Sequence, residues 1–283
     1  MLQNIHQLRD FSSLFSRSSV QQWLNDDFKS IDIKLGRYNL YKKHKGKSYL
    51  NVVKESYRLI EKLYPNEYVV KNEFLNKWIK QEICEKNAVV FNEFRLGNAV
   101  ADLAVFNGVS RVFEIKTELD NDYRLSNQIQ EYKKLFNEVF IVVPKKQLLN
   151  YESCDAQVGI ITFDSQAGPF ELEKKSNTFK NIDRRVLMNV LHTKEYLNIV
   201  KTHCEYIPEM NSFNQYDICR DLISNFSDAN LNQLFIDTMK KRKIHNAFFN
   251  KVNRELNQVC LSLNLDRNKR DNLINKLKTN RVL

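Results

Sequence analysis

The stretch FNEFRLGNAVADLAVFNGVSRVFEIKTELDNDYRLSNQIQEYKKLFNEVFIVV, Phe91 to Val143, decides the fold. Three short apolar-rich runs, at about 89–95, 100–106 and 111–117, are separated by Gly-Asn and Asn-Gly breaks, and so read as three strands joined by tight turns. A polar stretch with helical spacing follows at about 124–137, and the wholly apolar run Val139 to Val143 then reads as a buried strand. The order is β-β-β-α-β.

Asp102 interrupts the second strand, and Glu114-Ile115-Lys116 closes the third. Side chains alternate along a strand, so Glu114 and Lys116 share one face and Ile115 takes the other. A carboxylate and an ammonium on an otherwise Val-Phe-Ile strand are costly to bury without purpose. With Asp102 on the neighbouring strand, two carboxylates plus the Ile115 carbonyl make an oxygen-rich set suited to Mg2+ or Mn2+. Lys116 is then placed to orient or deprotonate a water.

These residues resemble the PD-(D/E)XK nuclease superfamily. The motif runs as Ala101-Asp102, a spacer of 11 residues, then Glu114-Ile115-Lys116, with alanine where the superfamily usually has proline. Gln128-Ile129-Gln130-Glu131-Tyr132 is similar to the QxxxY helix motif of RecB-type nucleases. The span from about Tyr64 to Pro144, and more loosely to about Val200, looks like a little-characterised bacterial family of nuclease-like proteins. Those carry a DLAVFNG…EIKTELD…RL…Q…Y signature after an NEYVVKN-type segment, here Asn66 to Asn72. The resemblance implies a restriction-endonuclease-like α/β fold, a mixed sheet with an α-β-β-β-α-β core flanked by helices. It implies a Mg2+- or Mn2+-dependent phosphodiesterase in which Asp102, Glu114 and the Ile115 carbonyl hold the ion, Lys116 assists the water and Gln128 orients them. The helix before the first strand often supplies a third acid. Glu67 and Glu73 are the candidates there, and Glu93 on the first strand is preferred, because Phe91 and Glu93 would share a face opposite Asn92 and Phe94.

The rest of the chain is read around this block. Three regions are expected: 1–47, a helical and basic arm; 48–180, the nuclease-like domain; 181–283, a mostly helical region. In the first, Ser18-Ser19 can cap a helix to about Phe28, and 31–47, with Gly36, Gly46 and a basic run, reads as an exposed connector. Residues 48–63 and 66–84 have helical spacing and are divided by Pro65. Val158 to Phe163 and Phe170 to Glu173 read as a strand pair around a turn at 164–168. Helices are expected near 183–203, 213–226, 228–240, 243–263 and 266–279.

The net charge of +10 is uneven: 29–47 carry seven Lys/Arg against one Asp, 239–281 carry twelve against three acids, and 91–143 carry six against eight. Basic arms around an acidic centre suit a polyanionic substrate. Nucleic acid, DNA before RNA, is therefore the expected partner, with Arg124, Lys42, Lys43, Lys241 and Arg242 as phosphate contacts. A homodimer or partner protein is compatible with this. The plainer alternative is that the clusters are solvated helix faces, and that Tyr38 and Tyr41 pack inward rather than stack on bases. Arg124 has its own plain alternative, a salt bridge to Asp120 or Asp122. No membrane span and no secretory pattern are seen, so a cytoplasmic location is expected. The five cysteines are far apart, with no CxxC, and are expected to be reduced and buried. Phosphate-binding glycine loops and HExxH are absent from the sequence, which disfavours ATP, NAD and zinc chemistry. A binding protein that keeps a nuclease-like fold without catalysis is the second expectation.

Overall fold

A computed structural model describes residues 5–81, 88–120, 122–164, 168–245 and 249–282. Six strands form one mixed sheet in sequence order: β1 (Val89–Leu96), β2 (Ala99–Phe106), β3 (Ser110–Ile115), β4 (Glu138–Pro144), β5 (Gly159–Phe163) and β6 (Phe170–Lys174). The two predicted breaks make the first two turns. Leu96 pairs with Ala99 across Gly97-Asn98, and Phe106 pairs with Ser110 across Asn107 to Val109. Gly97 has φ +55°, and a Cβ there would lie 3.1 Å from the Glu131 carboxylate, so glycine suits this turn on both counts. β3, β4 and β5 run parallel, and β6 returns antiparallel on β5.

Before the sheet come α1 (Ile5–Ser13), α2 (Arg17–Leu24), α3 (Lys29–Arg37), α4 (Tyr41–His44), α5 (Tyr49–Leu63) and α6 (Glu67–Phe74), the last continuing as a π-helical turn over Leu75–Ile79. The crossover from β3 to β4 carries α7 (Leu125–Lys133), and the one from β4 to β5 carries α8 (Leu148–Glu152). After β6 follow α9 (Arg184–Val190), α10 (Thr193–His203), α11 (Gln215–Ser224), α12 (Asp228–Lys241), α13 (Asn257–Ser262) and α14 (Arg267–Thr279).

Several boundaries differ from the sequence reading. Ser16, not Ser18 or Ser19, caps α2 through its hydroxyl, and α2 ends at Leu24. The expected connector at 31–47 contains α3 and α4, because Ile31 and Leu35, four apart, bury one helical face. Tyr38 packs edge-on against Phe11 and donates to Asp10 at 2.8 Å, which is the inward alternative for that ring. The helix expected over 243–263 is helical in the described residues only from Arg254, as a 3-10 turn and then α13; residues 246–248 lie outside them. So do the end of the helix expected to 84, with Cys84, and the centre of the turn at 165–167. Among the described cysteines Cys219 and Cys260 are buried, whereas Cys154 is exposed and Cys204 intermediate.

Helices cover both sheet faces and divide the interior into two cores. The first joins α1, α2, α3, α5, α6, α13 and α14 to Leu103, Val105, Phe113, Ile115, Val142 and Ile161. The second joins α7 and α9 to α12 to Ala104, Phe106, Val112, Ile141, Val143 and Ile160. The division at 47/48 and 180/181 does not follow these cores. Residues 184–241 cover one face, while 254–282 return to the N-terminal helices on the other.

One break in alternation shapes the site. On β1, Val90 faces the first core but Phe91, Phe94 and Leu96 all face the second, so the phase shifts between Phe91 and Phe94. Glu93 lies at the shift with φ +54°, a left-handed conformation unusual for a residue with a Cβ. On β2 the same shift falls at Asp102, with Ala99 and Ala101 in the second core and Leu103 and Val105 in the first.

Candidate functional site

Regular pairing of β2 with β3 is recorded from Phe106/Ser110 to Leu103/Phe113. Beyond it, the Asp102 carboxylate takes the place of the ladder: the Ile115 amide donates to Asp102 Oδ2 at 2.7 Å. The other oxygen, Oδ1, is 2.7 Å from Lys71 Nζ, which comes from α6 in the first-core layer. Lys71 also donates to Glu67 Oε1 at 3.0 Å, one turn back on the same helix. Its side chain is only 3% exposed. Burial works against the charged ammonium, but Asp102 and Glu67 outweigh it and raise its pKa above the ordinary lysine value.

Glu114 and Lys116 point to the α7 side, while Ile115 enters the first core. Lys116 Nζ donates to Glu114 Oε1 at 3.0 Å and lies 3.4 Å from Gln128 Oε1. The Gln128 amide nitrogen donates to the same Glu114 oxygen at 2.8 Å. Tyr132, one turn further along α7, donates its phenol proton to Glu114 Oε2 at 2.7 Å. QxxxY is thus a helix face that grips one carboxylate with two side chains. Burial, then repulsion from Asp102, push the Glu114 carboxyl up to about 6, against the pull of Lys116 and the hydrogen bonds from Tyr132 and Lys116. Burial and the neighbouring Glu114 carboxylate also raise the Tyr132 phenol far above its ordinary value.

Three of the predicted residues, Glu114, Lys116 and Gln128, are therefore hydrogen-bonded to one another, and Asp102 lies alongside them, tied to the Ile115 amide and acting on Glu114 through its charge. Glu93 does not join them. Its shifted backbone turns it outward, half-exposed, into an ion pair with Arg17, so the preference for Glu93 over Glu67 is corrected. Of the acids weighed, Glu67 comes nearest by contact, being linked to Asp102 through Lys71. Glu73 is wholly buried and serves another network: Arg254 reaches both its oxygens at 2.6 Å, Tyr57 donates at 2.7 Å and Lys77 lies 3.1 Å away. Glu67, Lys71 and Glu93 share a cleft of about 320 Å³ with Arg17, Asn66 and Gln258.

The expected metal ligands can be tested by their chemistry. Asp102 and Glu114 present hard oxygens, each oxygen retaining acceptor capacity beyond the donors it already has, except Glu114 Oε1, which accepts two. Two carboxylates completed by waters fit Mg2+, which seldom needs a full protein cage. Among the described residues no group of three or more His, Cys, Asp or Glu side chains converges as a ligand cluster.

The outlying cationic residues are dispersed. Exposed Arg124 lies over the Tyr123 ring, 4.9 Å from its centroid, just ahead of α7. Lys42 is exposed, and Lys43 pairs with Glu55 at 3.2 Å. Arg242 is not a free phosphate contact: its guanidinium binds Glu195 at 2.7 and 2.8 Å and the Val190 carbonyl at 2.8 Å. Lys241, exposed, borders a hollow of about 570 Å³ between α10 and α12. No helix among the described residues is long and apolar enough to cross a membrane.

The sequence reading missed Lys71 and gave Tyr132 no role of its own. Glu67 and Lys71 stand at i,i+4 in the sequence, but the burial of every residue from Val69 to Leu75 is seen only in the packing.

Comparison with known proteins gives a consistent family match. Protein cII of Enterobacteria phage P4 is 25% identical over 223 residues, covering 72% of this chain and 80% of that protein. A solved structure, the SPO1766 protein of unknown function from Silicibacter pomeroyi, is similar over 50% of this chain and 92% of that one, at 16% identity and a TM-score of 0.33. The profile of the Bacteriophage P4 protein cII family matches residues 61–265, a span that takes in Lys71, Asp102, Glu114, Lys116, Gln128 and Tyr132, and the chain belongs to that family.

Proposed function

We propose that this protein is a metal-dependent nuclease with a restriction-endonuclease-like core, hydrolysing phosphodiester bonds of nucleic acid, DNA before RNA. The observation that carries the reading is the interlock of Glu114, Lys116, Gln128 and Tyr132 beside Asp102, where β2 and β3 part. The element order helix, three strands, helix, strand agrees with such a core. A Mg2+ or Mn2+ held by Asp102 and Glu114 would polarise the phosphoryl group and supply an acidified water. Lys116, fixed by Glu114 and Gln128, positions that water and offsets charge developing on the phosphate. Gln128 holds both partners with a single amide, which fixes its orientation. Tyr132 keeps the Glu114 carboxylate in one place.

A binding-only protein on the same fold is the second reading. It draws on the observation that each carboxylate already has a lysine ammonium against it, Lys71 on Asp102 and Lys116 on Glu114. The two readings part in one experiment. The nuclease loses metal-dependent cleavage in Asp102→Ala and in Lys116→Ala, with circular dichroism unchanged. Cleavage retained by both variants overturns the assignment. Absence of cleavage in the wild type, with salt-dependent DNA binding that survives EDTA and Glu114→Ala, favours the binding protein.

A further inference from the structure

We propose that Lys71 is the built-in counter-cation of the site: its ammonium holds Asp102 until a divalent cation takes the carboxylate, and it then stays with Glu67. The inference rests on the metal-dependent reading above and adds a positioning residue to it. Three observations carry it. The Asp102 carboxylate is divided, with Oδ2 tied to the Ile115 main chain and Oδ1 to Lys71. Only the Lys71 contact can be given up without disturbing the strand. Lys71 has its second partner already in place, Glu67 at 3.0 Å on the same helix, so leaving Asp102 does not strand a buried charge. Glu67 is half-exposed and borders the 320 Å³ cleft together with Lys71, so the partner that would keep the ammonium lies at the solvent edge. Lys116 differs in that its second partner, Gln128, is neutral, so leaving Glu114 would leave its charge without a counter-ion.

The physical consequence is competition. An ammonium on Asp102 occupies the carboxylate in the absence of metal and lowers the apparent affinity for the cation, because binding must first displace it. A fixed charge so close also holds Asp102 in the conformation that accepts from Ile115.

Calorimetric titration of the full chain with Mn2+ alone tests this in the wild type, Lys71→Met, Lys71→Arg and Asp102→Asn. Methionine keeps the length and burial of the side chain but removes the charge, and Mn2+ affinity is expected to rise by about tenfold, the effect of losing one charged hydrogen bond. Arginine restores the competitor and stays near the wild-type value. Asp102→Asn loses affinity. Unchanged or weaker binding in Lys71→Met, with Asp102→Asn still weakened, overturns the role of Lys71 and leaves the metal reading standing. Equal affinity in the wild type and Asp102→Asn overturns the metal reading itself, and the inference with it. If Lys71→Met does not fold, the wild type decides. Nitrogen-15 spectra of lysine ammonium groups should show the Lys71 signal shift as Mg2+ is added. A signal that stays fixed while calorimetry records binding contradicts the proposal.

Discussion

Glu114 is the most constrained carboxylate of the site, buried and gripped by Lys116, Gln128 and Tyr132. Its proton is held more tightly in the folded chain, at about 6 against an ordinary 4.5. Between those values the folded state binds more protons than the unfolded one, so stability falls as pH rises through the window. The loss is on the order of 2 kcal/mol. Urea unfolding measured across that range should show this slope in the wild type and a flatter one in Glu114→Gln. Tyr132→Phe keeps the ring in the core and removes the hydroxyl, with its bond to the buried Glu114 carboxylate and its contacts to the Val100 carbonyl at 3.1 Å and the Gln128 amide nitrogen at 3.4 Å. A loss of about 1.5–3 kcal/mol in the same assay is expected. At this scale much was legible. Asp102, Glu114 and Lys116 could be named from type and spacing, because a charged residue inside an apolar strand is conspicuous. Lys71 was not, since a lysine on a helix usually marks a solvated face and only the packing of α6 shows this one buried.

Among elements, β1 and α6 matter most. Glu93 was placed by assuming unbroken alternation, and the left-handed φ at Glu93 shifts the phase and brings Phe91 and Phe94 into one core, their rings 5.4 Å apart. Strand patterning locates β1 but carries no signal for such a shift when the residue is not glycine. α6 is fastened to the last part of the chain by Arg254 on Glu73 and by Asn72, whose side chain accepts from the Gln258 amide at 2.9 Å. Arg254→Ala leaves a fully buried carboxylate short of its main partner, and a destabilisation of about 3–5 kcal/mol by denaturant titration is expected. These contacts join residues about 180 positions apart, which no local pattern reveals.

For the whole molecule, the chain order β-β-β-α-β and most of the helices followed from turn residues and periodicity. The layering did not. Lys42 and Lys43 precede α5 in the first-core layer, whereas Lys241 and Arg242 end α12 in the second, so the basic runs do not form one arm. Apolar stripes show that a helix is covered without showing by which layer. Since α13 and α14 complete the core of the N-terminal helices, deleting residues 254–283 should destroy cooperative unfolding of the whole chain. A truncated chain that melts in a single sharp transition at the wild-type temperature would refute the shared core.

The most direct measurement of the central claim is cleavage by the purified wild type and Lys116→Ala. Each is incubated with single-stranded DNA, duplex DNA and RNA in Mg2+, Mn2+ or EDTA. The expected result is cutting by the wild type in metal alone, with at least one substrate, and none by Lys116→Ala. Equal cutting by both proteins, or cutting that persists in EDTA, would contradict it.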